Sequence, residues 1–123
     1  MQQQSWLDEL FQKIDAKDTA GFLSFLTPDA RFRFGNAALL RGRRAIGEAV
    51  DAFFASIAAS QHQVLHTWSI DDAVICQGEV SYTRKDNSTL TLPFVNIFRI
   101  QGAQIDQYLI YVDVTPLYSS SAT

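Results

Sequence analysis

The segment LTLPFVNIFRIQGAQIDQYLIYVDVTP, residues 90–116, decides the fold of this chain. Its alternating apolar residues predict two long strands joined by a tight turn at Gln101-Gly102. Successive side chains of a strand point to opposite faces, so Phe94, Asn96 and Phe98 share one face. A buried amide needs hydrogen-bond partners or a ligand. Asn96 is therefore the first candidate for a binding residue.

Length and composition predict a single domain. The 123 residues are 47% hydrophobic and 19% charged, enough for one well-buried core and too few for two ordinary domains. We expect one domain over residues 1–123, with an ordered core at about 4–116 and a frayed polar tail at 117–123. The net charge of -3 and the pI near 5.1 give no support for binding to nucleic acid or to an anionic membrane.

Cysteine and histidine usage predicts neither a disulfide nor a metal centre. Cys76 is the only cysteine, and no Cys or His spacing typical of a metal site is present. No apolar run approaches the roughly 20 residues that cross a bilayer, and the first residues lack the pattern of a signal peptide. We expect a soluble cytoplasmic protein without a cofactor.

The first half of the chain predicts three helices and one short strand. Apolar residues at helical spacing predict helix one at about 4–16 and helix three at about 43–58. Between them, Asp18 is expected to cap a short second helix, and Pro28 to mark the exit from it. Strict alternation over 30–34 then predicts a strand.

The second half predicts an antiparallel meander of long strands. One strand carries Val64, His66, Trp68 and Ile70 in alternation and ends at a turn at Asp71-Asp72. The next strand covers about 73–84, and the following turn is expected at Asp86-Asn87. Three helices followed by such a meander predict an α+β fold in which the helices cover one face of a curved sheet.

Three segments carry a resemblance to a known family: KIDAKDTAGFLSFLTPDARFRFG (13–35), LLRGRRAIGEAVDAFF (39–54) and LPFVNIFRIQGAQIDQYLIYVD (92–113). With the order of the elements, they resemble the SnoaL-like branch of the nuclear transport factor two-like superfamily over nearly the whole chain. The resemblance implies a cone-shaped, curved, mixed or antiparallel sheet that wraps around a hydrophobic pocket and is covered by the three N-terminal helices. It also implies a homodimer through the convex face of the sheet.

The resemblance also allows the known chemistries of the family to be compared with this chain. Steroid-isomerase-like members carry an aspartate, a tyrosine and a second acid where this chain has Phe34, Leu10 and Asn96. Phenylalanine cannot transfer a proton and leucine cannot donate a hydrogen bond, so that mechanism is not available in its usual form. Epoxide-hydrolase-like members carry an aspartate where Ile110 stands, which disfavours their chemistry too.

The strand before residue 90 has two possible registers. A two-residue turn at Asp86-Asn87 places Glu79 opposite Phe94 and Gln77 opposite Asn96, so that Glu79 points into the apolar pocket. Burial there would raise the pKa of its carboxyl group and prepare it as a general acid or base. The alternative register turns Val80 and Tyr82 inward and leaves Glu79 on the convex face.

The last hairpin is ambiguous in the same way. A two-residue loop sets Gln107 across from Asn96, whereas a three-residue loop sets Tyr108 there. The family resemblance favours Tyr108 and Ile110 in the pocket. The convex face then carries three residues that form the expected dimer contact: Leu109, Tyr111 and Asp113.

His66 is the second candidate for acid-base chemistry. It shares an apolar face with Trp68, so it either looks into the pocket, where its near-neutral pKa suits proton transfer, or is a core or dimer residue. His62 begins the strand and is expected to be exposed. Aromatic residues including Trp68, Phe94 and Phe98 would line a pocket for a flat apolar molecule or fill a core.

Two classes of function follow from these residues. The first is a small acid-base enzyme of the isomerase or cyclase type, acting on an apolar carbonyl, polyketide-like or steroid-like compound. Its catalytic residues would be Glu79 or His66, with Asn96 and Tyr108 orienting an oxygen. The second is a dimeric module that binds such a compound without transforming it. The predicted ligand-binding set is Asn96, Tyr108, Gln77, Trp68, Phe94, Phe98, Ile110, Phe34 and Leu10.

Overall fold

The structure, a computed structural model, describes residues 5–118 of the chain. The helices are α1 (Ser5–Asp15), α2 (Thr19–Leu23) and α3 (Arg43–Ser56). The strands are β1 (Leu26–Phe34), β2 (Leu40–Arg41), β3 (Ala59–Ile70), β4 (Ala73–Thr83), β5 (Thr89–Gln101) and β6 (Gln104–Tyr111). A short 3-10 helix follows at Thr115–Tyr118, and its Leu117 is buried, so the expected frayed tail does not begin at 117. The expected helix one begins at residue 4, and the rest of the expected tail covers 119–123. These residues lie outside the part of the chain that the structure describes.

The cap of α2 is confirmed, but the exit from this helix is not where the sequence predicted it. The Asp18 carboxylate accepts a hydrogen bond from the Gly21 amide at 2.9 Å and so satisfies a free donor of the first turn. The helix ends at Leu23, and Pro28 lies inside β1, which starts at Leu26. Proline has no N–H group, so it fits in a strand only where its nitrogen does not have to donate a hydrogen bond to a neighbouring strand.

The six strands form one open sheet in the order β2-β1-β6-β5-β4-β3. β3 to β6 pair as an antiparallel meander, which confirms the predicted meander, whereas β1 pairs with β6 in parallel. The buried side chains of the sheet face the helices, and we call this the inner face; the opposite side is the outer face. The α+β fold with a mixed sheet and three N-terminal helices is confirmed.

β3 contains a bulge that changes which residues face the helices. Val64 pairs with Gly78 and His66 with Gln77, so Leu65 is one extra residue. Even-numbered residues of β3 therefore face the helices before the bulge and face away from them after it. Trp68 is 49% exposed on the outer face, together with His66. The expectation that His66 and Trp68 face the pocket is wrong for this reason.

β4 and β5 pair in the alternative register. Gly78 lies opposite Phe94 and Cys76 opposite Asn96, because the turn near Asp86-Asn87 is longer than two residues. Glu79 is consequently exposed on the outer face and Gln77 is half-buried there. The interpretation of Glu79 and Gln77 as pocket residues is wrong, since a shift of one residue exchanges the two faces of a strand.

The last hairpin contains a second irregularity. Arg99 pairs with Gln107 but Ile100 with Ile105, so Asp106 is an extra residue in β6. This brings Tyr108 opposite Phe98 and places Ile110, not Tyr108, opposite Asn96. Both predicted cross-strand pairs were therefore wrong. The predicted face of Tyr108 was nevertheless right, since it is buried on the inner face.

The outer face carries an apolar row across four strands. Trp68 pairs with Ile75, Ile75 with Ile97 and Ile97 with Leu109, and paired residues share a face. Tyr111, one of the expected dimer residues, is 47% exposed beside this row. We refer to Trp68, Ile75, Ile97 and Leu109 as the outer row. Among residues 5–118, no helix is long and apolar enough to span a bilayer.

Candidate functional site

A cavity of about 180 Å³ lies between the inner face of the sheet and the helices. Its walls are mostly apolar, and phenylalanines contribute much of them because β1, α3 and β5 each point an aromatic residue inward. Among the described residues that line it, four side chains carry polar atoms: His62, Tyr82, Asn96 and Tyr108. The cavity is therefore an apolar chamber with a few fixed polar groups, which is the usual make-up of a small-molecule site.

His62 is held in the cavity wall by Asp15. Its Nδ1 lies 2.6 Å from Asp15 Oδ1, and its backbone amide donates to Asp15 Oδ2 at 2.9 Å. The imidazole stacks on Phe11, with ring centroids 4.7 Å apart, and meets Phe94 edge-on at 5.5 Å. Phe11 and Asp15 are four residues apart on α1, so one face of that helix supplies both contacts. The histidine ring is fixed on three sides.

The carboxylate of Asp15 sets the tautomer of His62. Burial raises the pKa of Asp15, but the hydrogen bonds and the charge of His62, with the hydroxyl of Ser60 at 2.8 Å, outweigh burial and hold this pKa below its usual value. Asp15 is thus ionised at neutral pH and can only accept, so Nδ1 of His62 carries the hydrogen. In the neutral ring, Nε2 is then the basic nitrogen, which is the arrangement that a general base requires.

Asn96 and Tyr108 form a second polar group in the cavity. Asn96 Nδ2 lies 3.4 Å from the Tyr108 hydroxyl, and each residue is 1% exposed. Asn96 Oδ1 is buried and has no hydrogen-bond partner within residues 5–118. Burial raises the pKa of Tyr108 well above its usual value, so the phenol stays protonated and remains a donor.

The structure divides the predicted ligand-binding residues into three groups. Five of them line the cavity: Phe34, Phe94, Asn96, Tyr108 and Ile110. Two others, Leu10 and Phe98, are fully buried in the core rather than in the cavity wall, because helix α1 packs directly on that part of the sheet. The remaining two, Gln77 and Trp68, lie on the outer face with Glu79 and His66.

His62 and Asp15 are the site residues that sequence reasoning missed. β3 begins at Ala59, several residues earlier than the alternation predicted, so His62 lies within the strand and not at its exposed start. The side chain of His62 is only 12% exposed. Asp15 ends an amphipathic helix four residues after Phe11, and that spacing was the available signal, but nothing in the sequence paired it with a histidine.

The described residues do not bring together three or more His, Cys, Asp or Glu side chains that could hold a metal ion. The thiol of Cys76 is buried beside Asn96, and burial raises its pKa to about 12. A thiol with so high a pKa is a poor nucleophile at neutral pH. The hydrogen-bonded pair of His62 and Asp15 has the geometry that proton transfer requires.

Solved structures with the nuclear transport factor two-like (NTF2-like) fold share this open mixed sheet with helices over one face. A family model for the SnoaL-like domain matches residues 7–108. The chain belongs to the SnoaL-like family. No functionally curated protein matches it in sequence.

Solved structures share the fold at low sequence identity. An NTF2-like protein of unknown function from Burkholderia pseudomallei is 16% identical over 90% of each chain, with a TM-score of 0.81. A protein assigned as a SnoaL-like polyketide cyclase from a Jannaschia species is 15% identical over 90% of this chain and 85% of its own, with a TM-score of 0.78. An epoxide hydrolase from Mycobacterium tuberculosis is 12% identical over 88% and 80%, with a TM-score of 0.74. At these identities the likeness shows the fold alone.

Proposed function

We propose that the chain is a small acid-base enzyme that moves a proton on an apolar, oxygen-bearing molecule held in the cavity. The observation that carries this proposal is the Asp15–His62 pair in the cavity wall, with Nδ1 of His62 2.6 Å from the carboxylate. A positioned histidine base contributes roughly 10²–10⁴-fold to a rate. His62 is the base, and Asp15 is a positioning residue that acts through it.

The polar groups of Asn96 and Tyr108 have a separate role in this proposal. They line the same cavity as His62 and can hydrogen-bond to an oxygen of the bound molecule. Solved structures that share the fold include a protein assigned as a polyketide cyclase and an epoxide hydrolase. This supports an isomerase or cyclase type of reaction on a polyketide-like or related carbonyl compound.

The experiment uses the base-catalysed ring opening of a nitrobenzisoxazole as a general probe of proton abstraction from carbon. The base takes the ring C–H proton, its electron pair forms the nitrile, the N–O bond breaks and the oxygen leaves as a coloured phenolate. We expect His62→Gln to lower the rate by about 10²-fold or more, because it removes the base. The absorbance of the phenolate measures this rate.

The second histidine supplies the matched control. His66→Gln makes the same chemical change on the outer face, where His66 is exposed, and should leave the rate at the wild-type value. A wild-type rate no higher than that of His62→Gln would contradict the proposal. If both variants lost the same share of the ring-opening rate, the reaction would not depend on the cavity. That result would also contradict the proposal.

The second function is a dimeric module that binds a ligand without transforming it. Phe34 and Asn96 in the cavity, and Leu10 in the core, replace acidic or phenolic groups that catalytic relatives use, which favours this alternative. We further propose a homodimer through the outer row, with Leu109, Tyr111 and Asp113 in or beside the contact. Ligand binding without acceleration of the probe reaction would favour the module over the enzyme.

A further inference from the structure

Asn96 has an unused hydrogen-bond acceptor at the cavity. Its Oδ1 is buried without a partner within residues 5–118, although the whole residue is 99% buried. Nearly all buried polar side-chain atoms in folded proteins have a partner, and an unpaired one costs about 1–3 kcal/mol. The atom therefore favours an occupant that donates a hydrogen bond.

Tyr108 supplies the complementary donor beside it. Its hydroxyl oxygen accepts from Asn96 Nδ2 at 3.4 Å, which leaves its own hydrogen available to the cavity. A hydroxyl group can donate to Asn96 Oδ1 and accept from Tyr108 at the same time. A carbonyl oxygen can satisfy only Tyr108, and a hydrocarbon satisfies neither residue. The pair therefore selects an alcohol, phenol or enol.

The dimensions of the cavity limit the rest of the molecule. Its volume is about 180 Å³. An apolar protein cavity of about 150 Å³ holds one benzene ring. One ring with a short side chain, or two small fused rings, matches the space, whereas four fused rings exceed it. Aromatic walls such as Phe53 and Phe94 favour a flat molecule.

The lining also limits the charge of the occupant. Neither Lys nor Arg is among the described residues that line the cavity. A carboxylate or phosphate would lose its hydration there, and the one cationic partner among these lining residues would be a protonated His62, which could not then act as the base. The occupant is consequently a neutral molecule.

We propose that the natural ligand is a neutral, flat molecule of one or two fused rings whose hydroxyl group binds between Asn96 Oδ1 and the Tyr108 hydroxyl. The inference rests on the proposed function in assigning the same cavity as the site. It excludes a steroid skeleton and assigns a hydroxyl group of the compound, rather than a carbonyl, to Asn96 and Tyr108.

Three probes of nearly equal shape test the hydroxyl. They are α-methylbenzyl alcohol, acetophenone and ethylbenzene, which differ in one group, and their dissociation constants follow from the concentration dependence of the thermal shift. We expect wild-type protein to bind the alcohol about tenfold more tightly than acetophenone and about 100-fold more tightly than ethylbenzene, since one net hydrogen bond is worth about a factor of ten. Testosterone, an alcohol with four fused rings, should not bind.

Asn96→Leu tests the residue with the same probes. Leucine keeps the branching of the side chain and removes the acceptor, so the preference for the alcohol over ethylbenzene should fall about tenfold while ethylbenzene still binds. An unchanged preference would overturn the assignment to Asn96. If the variant does not fold, the binding of the three probes to wild-type protein still tests the proposal. Equal or tighter binding of acetophenone, tight binding of testosterone, or no binding of the alcohol overturns the proposal.

The result of the binding series does not depend on whether the protein catalyses a reaction. Failure of the ring-opening assay with tight binding of the alcohol would remove the base and keep the ligand class. Acceleration of ring opening by His62 without preferential binding of the alcohol would keep the base and reject the ligand class.

Discussion

A single carboxylate, that of Asp15, connects the end of α1 to the start of β3. It accepts hydrogen bonds from the ring and the backbone of His62 and from the hydroxyl of Ser60. Hydrogen bonds to a charged group are worth about 1.5–3 kcal/mol each when one partner is removed. Asp15 therefore stabilises the fold in addition to positioning His62.

The pH dependence of stability tests this role. Because the pKa of Asp15 is lowered on folding, its stabilising contribution is present above the unfolded pKa, about 3.9, and is lost as the pH falls through the lower folded pKa. Asp15→Asn should be less stable than wild type by about 1–3 kcal/mol at neutral pH, with the difference shrinking below about pH 4. Urea denaturation across this pH range measures it.

Asp8→Asn is the matched control, because Asp8 is exposed on the same helix. Its effect on the free energy of unfolding should be small at every pH. A cost of Asp15→Asn that stays constant from neutral pH down to strongly acid pH would show that the charge of Asp15 contributes nothing.

The element that shapes the site is β3. At its bulge, the backbone of β3 lies directly over Gly78 of β4, where an added Cβ would overlap the carbonyl oxygen of Gln63 and lie 3.0 Å from Val64 Cα. The absence of a side chain at position 78 is therefore what allows the two strands to approach. The bulge, in turn, lets one strand give His62 to the cavity and Trp68 to the outer face.

Gly78→Ala should destabilise the protein by about 2–3 kcal/mol, because the backbone of β3 has to move. Gln77→Ala, at the adjacent outer-face position, should cost less than about 1 kcal/mol. Chemical denaturation followed by circular dichroism compares the two variants. Similar small costs would mean that the close approach at Gly78 is not required.

These elements also show what the sequence can and cannot predict. Side-chain periodicity predicted α1, α3 and the meander because burial of one face requires such spacing. It offered His66 and Glu79 as pocket residues, beside alternatives that placed them elsewhere, because periodicity reveals neither a break in the alternation nor the length of a turn. One extra residue at Leu65, and a longer turn near Asp86-Asn87, are set by backbone pairing and leave the periodicity of the side chains unchanged.

At the scale of the whole molecule, the outer row is a second apolar surface. Trp68 is 49% exposed at one end of the row, which is unusual for so large an apolar side chain on a single folded unit. Burial of such surface against a second copy would release roughly 25 cal/mol per Å². The cavity lies on the inner face of the sheet, so the two surfaces do not compete.

Trp68→Glu should therefore convert a dimer into a monomer without loss of ligand binding. Sedimentation velocity at micromolar concentration should give twice the chain mass of 13.8 kDa for wild type and that mass for the variant. Gln12→Glu adds the same charge on the exposed side of α1 and should leave the dimer intact. A wild-type protein that sediments at 13.8 kDa would rule out the proposed assembly.

The parallel pairing of β1 with β6 has a consequence for the order of events during synthesis. β6 lies between β1 and β5, so the sheet stays in two pieces until residues 104–111 have been made. Pairings between segments so distant in the chain form slowly, because the ends of a long loop must first meet. Asn96 and Tyr108 come together only in that last step. The binding chamber is thus completed only after residues 104–111 have been synthesised.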